Sequence, residues 1–411
     1  MLNIKVVGVG FGGTKGAIRG VENGIIPKEK LMIINSTLKD IPLAYEDVAA
    51  YYSRAYGGSA KERSSAKELC LDALKNDELF IQKVDSFVDA TTEVVIFVVA
   101  PEGGTGSGSV PILAKYFNTV IRKRFPKLKI QIFTLNGFED DPRGLQNTIE
   151  FFQELDESYT VQSISMKKLM DEDGLTRRQA EEKADDLFAE KIAIAAGRAI
   201  NYENARHNID ESDLLKLSTT PGFMFTWRVS LGKLKNTEAF NRALSEAIDS
   251  DKSLDIPKQS IARLGVISHV SEKNEEFIDY KFPVIKSKLG TYFDIFIHDN
   301  AYVQGEDEYI EFVASGLKMP IDELKAVYEK YKKETQLIDT DKDDFFSIMN
   351  EFRGDLSTLS FDTGANKKEI EVSEKEIDKD DFFGSFMNTG SSANFKDEVA
   401  ADDDKKDISK Y

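Results

Sequence analysis

Short apolar runs alternate with amphipathic stretches through the first half of the chain. Asn3–Val9, Leu31–Asn35, Val94–Ala100, Lys129–Leu135 and Tyr159–Ser163 read as strands, with Val84–Val88 as a further one. Apolar residues at three- and four-residue spacing predict helices over Thr14–Val21, Tyr45–Tyr56, Lys61–Leu74, Val110–Arg124 and Gly144–Leu155. Strands separated by helices imply βαβ units and a Rossmann-like, mostly parallel sheet. Such sheets bind ligands at the carboxyl ends of their strands. A longer helical pattern then runs from Thr176 to Asn204, with Ala180, Ala184, Leu187, Phe188, Ile192, Ala195 and Ala199 on the apolar spacing. After it, Gly222–Leu231, Ser260–Val270, Tyr292–His298 and Tyr309–Ser315 read as strands, with helices at Glu238–Ile248 and Ile321–Lys333. This second texture predicts an α+β domain with a mixed or antiparallel sheet. The expected order is an α/β domain over 1–175, a central helix over 176–207, an α+β domain over 208–334 and a tail over 335–411.

Composition sharpens the ends of this picture. Of 411 residues, 41% are apolar and 31% charged, enough for real cores. Net charge is −18, so direct binding to nucleic acid is not expected. From Thr335 to Tyr411 there are 20 acidic and 10 basic residues, so the last fifth holds more than half of the excess. Disorder is the expectation for this acidic tail. Within it, DKDDFF occurs twice, at Asp341–Phe346 and Asp378–Phe383, as paired aromatics behind acids that suit a groove with a basic rim. The single cysteine, Cys70, fits a reducing cytoplasm. The N-terminus reads as a strand rather than a signal peptide, and no apolar stretch approaches membrane-spanning length.

The chemistry concentrates in two glycine-rich segments. Gly103, Gly104, Thr105, Gly106, Ser107, Gly108 and Ser109 lie between an apolar strand and an amphipathic helix. Glycines let backbone N–H groups approach a ligand at the positive end of a helix, which makes an anion site suited to a phosphate chain. A flexible linker is the plain alternative, but linkers do not usually join a buried strand to a helix. The second segment, Gly8-Val9-Gly10-Phe11-Gly12-Gly13-Thr14-Lys15, follows the first strand. It fits GxGxxG, but the second strand ends in Asn35-Ser36-Thr37 where a dinucleotide site wants an acid. It is not a P-loop either, because Lys and Thr are exchanged. Two phosphate loops on neighbouring strand ends account for both segments.

GGTGSGS after an apolar strand closely resembles the signature of the tubulin/FtsZ superfamily of GTPases, and Gly10, Gly12, Gly13 and Thr14 are similar to its first nucleotide loop. The resemblance covers roughly residues 3–334. It implies GTP or GDP in the cleft, with Mg²⁺ held through phosphates and water rather than by direct ligands. It places Gly57 and Gly58 near the γ-phosphate, Asp140 near the ribose and Asn35 at the second strand end. Asp185-Asp186 would meet guanine, with Asp186 as the reader. A carboxylate there accepts from guanine N1–H and N2–H₂ and cannot pair that way with adenine. Asn208, Asp210 and Asp213 form NxDxxD, which resembles the synergy loop of the superfamily. There the carboxylates act on the nucleotide of the neighbouring subunit, so hydrolysis follows polymerisation. Read without the resemblance, Asn208 or Asp210 caps a helix carrying Glu211 and Asp213 in its first turn.

Within the superfamily, one cysteine and one tryptophan in a short chain argue against a eukaryotic tubulin. No apolar, proline-containing C-terminal peptide of the division-protein type is found. The acidic tail looks more like the TubZ group of plasmid and phage segregation filaments, where a tail engages a DNA-binding adaptor. The expected function is therefore a head-to-tail homopolymer that hydrolyses GTP at the subunit interface. A division-type FtsZ is the alternative, with a Rossmann-type NAD-dependent oxidoreductase and a scaffold with a vestigial pocket as rivals of other classes.

Overall fold

In a computed structural model the chain is described at residues 2–52, 58–137, 142–171, 173–197, 209–232, 234–253, 261–290, 293–301, 305, 307–318, 326 and 329. All lie in the first of two compact units, which spans residues 1–364. The acidic tail with both DKDDFF copies, and most of the expected helix 321–333, lie outside the described residues.

Ten strands among the described residues form one sheet: β1 (Ile4–Val9), β2 (Leu31–Asn35), β3 (Ala49–Tyr51), β4 (Val94–Val99), β5 (Lys129–Asn136), β6 (Thr160–Ser165), β7 (Gly222–Ser230), β8 (Arg263–Val270), β9 (Asp294–Ala301) and β10 (Tyr309–Leu317). Their order is β3-β2-β1-β4-β5-β6-β7-β10-β8-β9. The first seven in that order are parallel, and β10 is antiparallel to both β7 and β8. The expected second sheet is thus mixed, but it is not separate. It joins the first through Thr160↔Gly222 and Val161↔Phe223. Gly222, at φ +105°, continues the ladder of β6 where sequence texture alone implied a break.

The helices are α1 (Gly10–Glu22), α2 (Arg63–Asn76), α3 (Glu78–Phe87), α4 (Gly104–Tyr116), α5 (Arg122–Arg124), α6 (Pro142–Glu154), α7 (Met166–Asp171), α8 (Arg177–Ala195), α9 (Glu211–Ser218), α10 (Thr237–Asp249), α11 (Glu272–Glu275) and α12 (Pro283–Leu289). They cover both faces of the parallel strands. Val94, Ile96 and Val98 of β4 join Ala17 of α1 and Ala184, Phe188 and Ile192 of α8 in one core. Phe97 points the other way and meets Phe117 edge-on at 5.3 Å, just beyond α4. Alternation along one apolar strand thus feeds two layers, as expected of a sheet buried on both sides.

Three sequence expectations are corrected. Val84–Val88 is no strand: Asp77 caps α3, and Phe80 and Val84 are its buried face one turn apart. Tyr45–Tyr56 is no α-helix: a 3₁₀ segment, Leu43–Val48, leads into β3, which pairs with Ile33–Asn35. Pairing to the edge of a sheet overrides the local pattern there. The described part of the long helix is shorter than expected: it ends at Ala195, Gly197 takes φ +72°, and residues 198–208 lie outside the described residues. Its start is set by Thr176 and Gln179, which form a reciprocal capping box.

Candidate nucleotide cleft

Strand order reverses between β1 and β4, with β2 and β3 on one side and β5 to β7 on the other. A crevice opens outside the carboxyl ends of strands at such a switch point. β1 and β4 pair in register to their last residues, Val9↔Val99, so the segments that follow leave side by side. Those segments are the two glycine runs. Both are the first turns of helices rather than loops, α1 from Gly10 and α4 from Gly104. The first N–H groups of each helix have no carbonyl partner within it, and two positive helix ends converge on one cleft of about 500 Å³.

Most of the glycines are demanded by neighbouring protein rather than by ligand. Gly10 takes φ +69°, and a Cβ there would stand 3.1 Å from the Gly106 nitrogen. A Cβ on Gly104 would stand 2.5 Å from Ser59 Oγ and 2.7 Å from the Glu62 nitrogen. On Gly13 it would collide with the Val98 carbonyl oxygen, and on Gly108 it would stand 2.5 Å from the Arg63 carbonyl oxygen. The runs therefore let α1, α4 and the segment before α2 crowd around one point.

At that point three hydroxyls meet. Thr105 Oγ1 lies 2.6 Å from Ser36 Oγ and 3.0 Å from Ser59 Oγ, all on buried residues. Lys39 and Lys61 line the cleft there as cationic side chains. Asn147 of α6 donates to the carbonyls of Lys61 (3.1 Å) and Glu102 (3.0 Å), pinning both lips. Arg63, also buried, donates from Nε to the Ser107 carbonyl and ion-pairs with Glu154 at 2.5 Å, tying α2 and α6 to α4. The far end of the cleft is built by α1 and α8. Lys15 reaches Glu181 at 3.4 Å, and Asp185 lies one turn further on. Burial pushes the Asp185 carboxyl up to about 7, against the pull of Lys15 and Arg19 and with Glu181 and Asp186 adding to the rise.

No protein-family model matches the chain. In sequence it is similar to the cell division protein FtsZ of Aquifex aeolicus, 26% identical over 256 residues. That match covers 60% of this chain and 64% of the length of the relative, a little under two thirds. In structure it is similar to TubZ of Clostridium botulinum phage c-st, solved without its C-terminal tail, at a TM-score of 0.59 and 17% identity over 81% of this chain and 98% of the other. It is also similar to TubZ of Bacillus thuringiensis serovar israelensis in a GTPγS-form protofilament, with a TM-score of 0.64 and 16% identity over 82% and 94%. The chain has the tubulin/FtsZ fold.

Within this tubulin/FtsZ fold the expected site residues divide. Gly10, Gly12, Gly58, Gly103, Gly104, Thr105 and Gly106 line the cleft. Gly13, Thr14, Ser107 and Gly108 do not: they lie buried where the helices pack, and Ser107 Oγ donates to the Gly103 carbonyl. Asn35 is buried behind the strand end, its Oδ1 accepting the Ser36 N–H at 2.8 Å, and the cleft takes Ser36 and Thr37 instead. Of the aspartate pair, Asp186 does not line the cleft and Asp185 does. Asp186 turns to Arg19 at 3.2 Å, while Asp185 faces the cleft, because successive helix positions sit about 100° apart. Gly57, Asp140 and Asn208 lie outside the described residues.

Asp210 and Asp213 are at the head of α9, away from the cleft. Asp210 Oδ1 caps the helix by accepting the Asp213 N–H at 2.8 Å, and Lys216 Nζ approaches Asp213 at 3.3 Å. The far end of this helix, at Ser218, accepts from Gln131 near the start of β5, and the Thr220 carbonyl accepts from Thr160 at the start of β6. Those are the strand ends opposite the cleft. Helix α8 runs between the two poles, from Arg177 and Asp185 on the cleft to Ala196, whose carbonyl accepts the Leu2 N–H before β1.

Sequence reasoning missed Phe11, Lys15, Lys39, Lys61, Arg63 and Asn147. Ala60 and Lys61 carry positive φ, 48° and 61°, a strain that marks the lip but leaves no sequence signature. Among the described residues no group of carboxylates, histidines or thiols could cage a metal ion.

Proposed function

We propose that the chain binds GTP in this cleft and hydrolyses it as a head-to-tail polymer. The observation that carries the reading is the meeting of two helix N-termini and three hydroxyls at the switch point of a tubulin/FtsZ fold, with a guanine-competent carboxylate at the other end. The triphosphate lies at the α4 end, with Thr105, Ser36 and Ser59 as hydroxyl partners and Lys39 and Lys61 as countercharge. Asp185, ionised, accepts from the guanine N1–H and N2–H₂. A Mg²⁺ ion bound to the phosphates would supply further charge neutralisation, with water completing its shell.

Phosphoryl transfer to water also needs a group to orient the water. Asp210 and Asp213 suit that role but lie toward the other pole of their own subunit. A second copy stacked pole to cleft brings them to the phosphates. Such a contact is heterologous and does not close, so it propagates as a filament. The capping and catalytic roles of Asp210 are compatible, since the cap uses Oδ1 and leaves Oδ2 for water. The fold similarity to a phage TubZ and the acidic tail support a finer reading, a filament for plasmid or phage DNA segregation that grips a basic adaptor. The sequence similarity to FtsZ supports a division filament as the second reading.

The test is phosphate release against protein concentration. Turnover per subunit should climb steeply as the chain begins to pellet with GTP. Asp210→Asn, which keeps the cap, should still bind GTP and pellet while turnover falls about 100-fold or more. A constant per-subunit rate down to dilute monomer would sink the shared-site mechanism.

A further inference from the structure

Among the described residues that line the cleft, Phe11 is the only aromatic. It sits in the first turn of α1, where Gly10, Gly13 and Thr14 are buried, yet it is 53% exposed. Its surroundings are chemically specific. The Lys15 ammonium lies 4.4 Å from the ring centre, within cation–π range, and 3.4 Å from Glu181. Asp185 follows Glu181 by one helical turn. One end of the cleft therefore offers a flat π surface, a cation fixed over it and a buried carboxylate. The other end offers helix N-termini and hydroxyls.

A ligand that satisfies both ends carries phosphates at one and a planar heterocycle with edge donors at the other. We propose that Phe11 is the stacking platform for the base of the bound purine nucleotide, with the Lys15 ammonium on one face of the ring and the base on the other. The proposal rests on the reading of the cleft as a guanine-nucleotide site. Asp185 then reads the edge of the base and Phe11 its face. Stacking is blind to which purine is bound, so Phe11 supplies affinity and Asp185 supplies choice. A half-exposed ring is the cost of keeping that surface available.

The experiment is equilibrium binding of GDP to the full chain, below the concentration at which it pellets. Phe11→Ala and Phe11→Leu should each weaken GDP by about tenfold, within the range of one base–aromatic stack. Tripolyphosphate, which has no base, should bind both variants as it binds the parent chain. Phe11→Trp should keep GDP affinity and show emission quenched by GDP, above a constant signal from buried Trp227. Unchanged GDP affinity in Phe11→Ala overturns the proposal, as does equal weakening of GDP and tripolyphosphate, which marks a disturbed helix. Loss of pelleting with monomer affinity intact also overturns it and assigns Phe11 to the contact with a second copy. If the parent chain binds tripolyphosphate but no guanine nucleotide, the guanine reading itself falls, and this proposal with it.

Discussion

The residue that most directly links burial to the proposed base specificity is Asp185. Its carboxyl is pushed up to about 7 because the folded chain withdraws it from water. The raised value means that proton-linked stability is complete below the ordinary aspartate range and is lost as pH rises toward 7. Binding of guanine runs the other way, since only the carboxylate accepts both base donors. GTP affinity should therefore rise by about tenfold from pH 6 to pH 8, as the ionised fraction rises through its midpoint. Asp185→Asn should flatten that profile. A parent-chain affinity that does not change between those pH values would remove Asp185 from base recognition. The pair Asp185-Asp186 was legible in the sequence as a base-reading candidate. Which of the two faces the cleft was not, because that depends on the rotation of α8 against Arg19.

At the scale of elements, the glycine runs serve the proposed phosphate cradle and close packing. The cradle is a pattern the sequence carries, since a glycine cluster between a buried strand and a helix brings backbone N–H groups to one point. The close packing was not legible, because it depends on Val98, Arg63 and Ser59 approaching from distant segments. Gly108 belongs wholly to that packing. Gly108→Val should wedge α4 from Arg63 and Ala66 of α2 and destabilise the chain by about 1–3 kcal/mol. A lower urea midpoint with unchanged slope would show it, with GDP affinity retained far below that midpoint. Loss of GDP affinity in a variant of unchanged stability would instead place Gly108 in the site. Strands β1, β2, β4, β5 and β6 were readable as apolar runs because both faces are buried. β3 was not, since three residues at a sheet edge leave too little pattern.

At the scale of the molecule, the sheet joins the cleft and the α9 pole in one body, with α8 alongside. The polarity that the proposed head-to-tail polymer needs is thus present in a single chain. The sequence carried the two ends of this arrangement as motifs about a hundred residues apart; their spacing did not place them at opposite poles, and only the family resemblance implied it. The tail belongs to this scale as well. A chain ending at residue 334 should still pellet with GTP if residues 335–411 serve a partner, and should fail to pellet if they serve the filament. Retained pelleting with retained capture of a basic adaptor would remove the tail from both roles.

Cys70 lies fully buried under α4, its Sγ 4.0 Å from the Ser109 carbonyl, and burial holds the thiol near 12. The native fold is thus silent to thiol reagents. A cysteine put on the cleft lip in one preparation and near α9 in another would be the sole reactive sulfur of each. Mixed together, they turn subunit polarity into a gel band, because a short cross-linker joins unlike chains and spares like ones only when lip meets far pole.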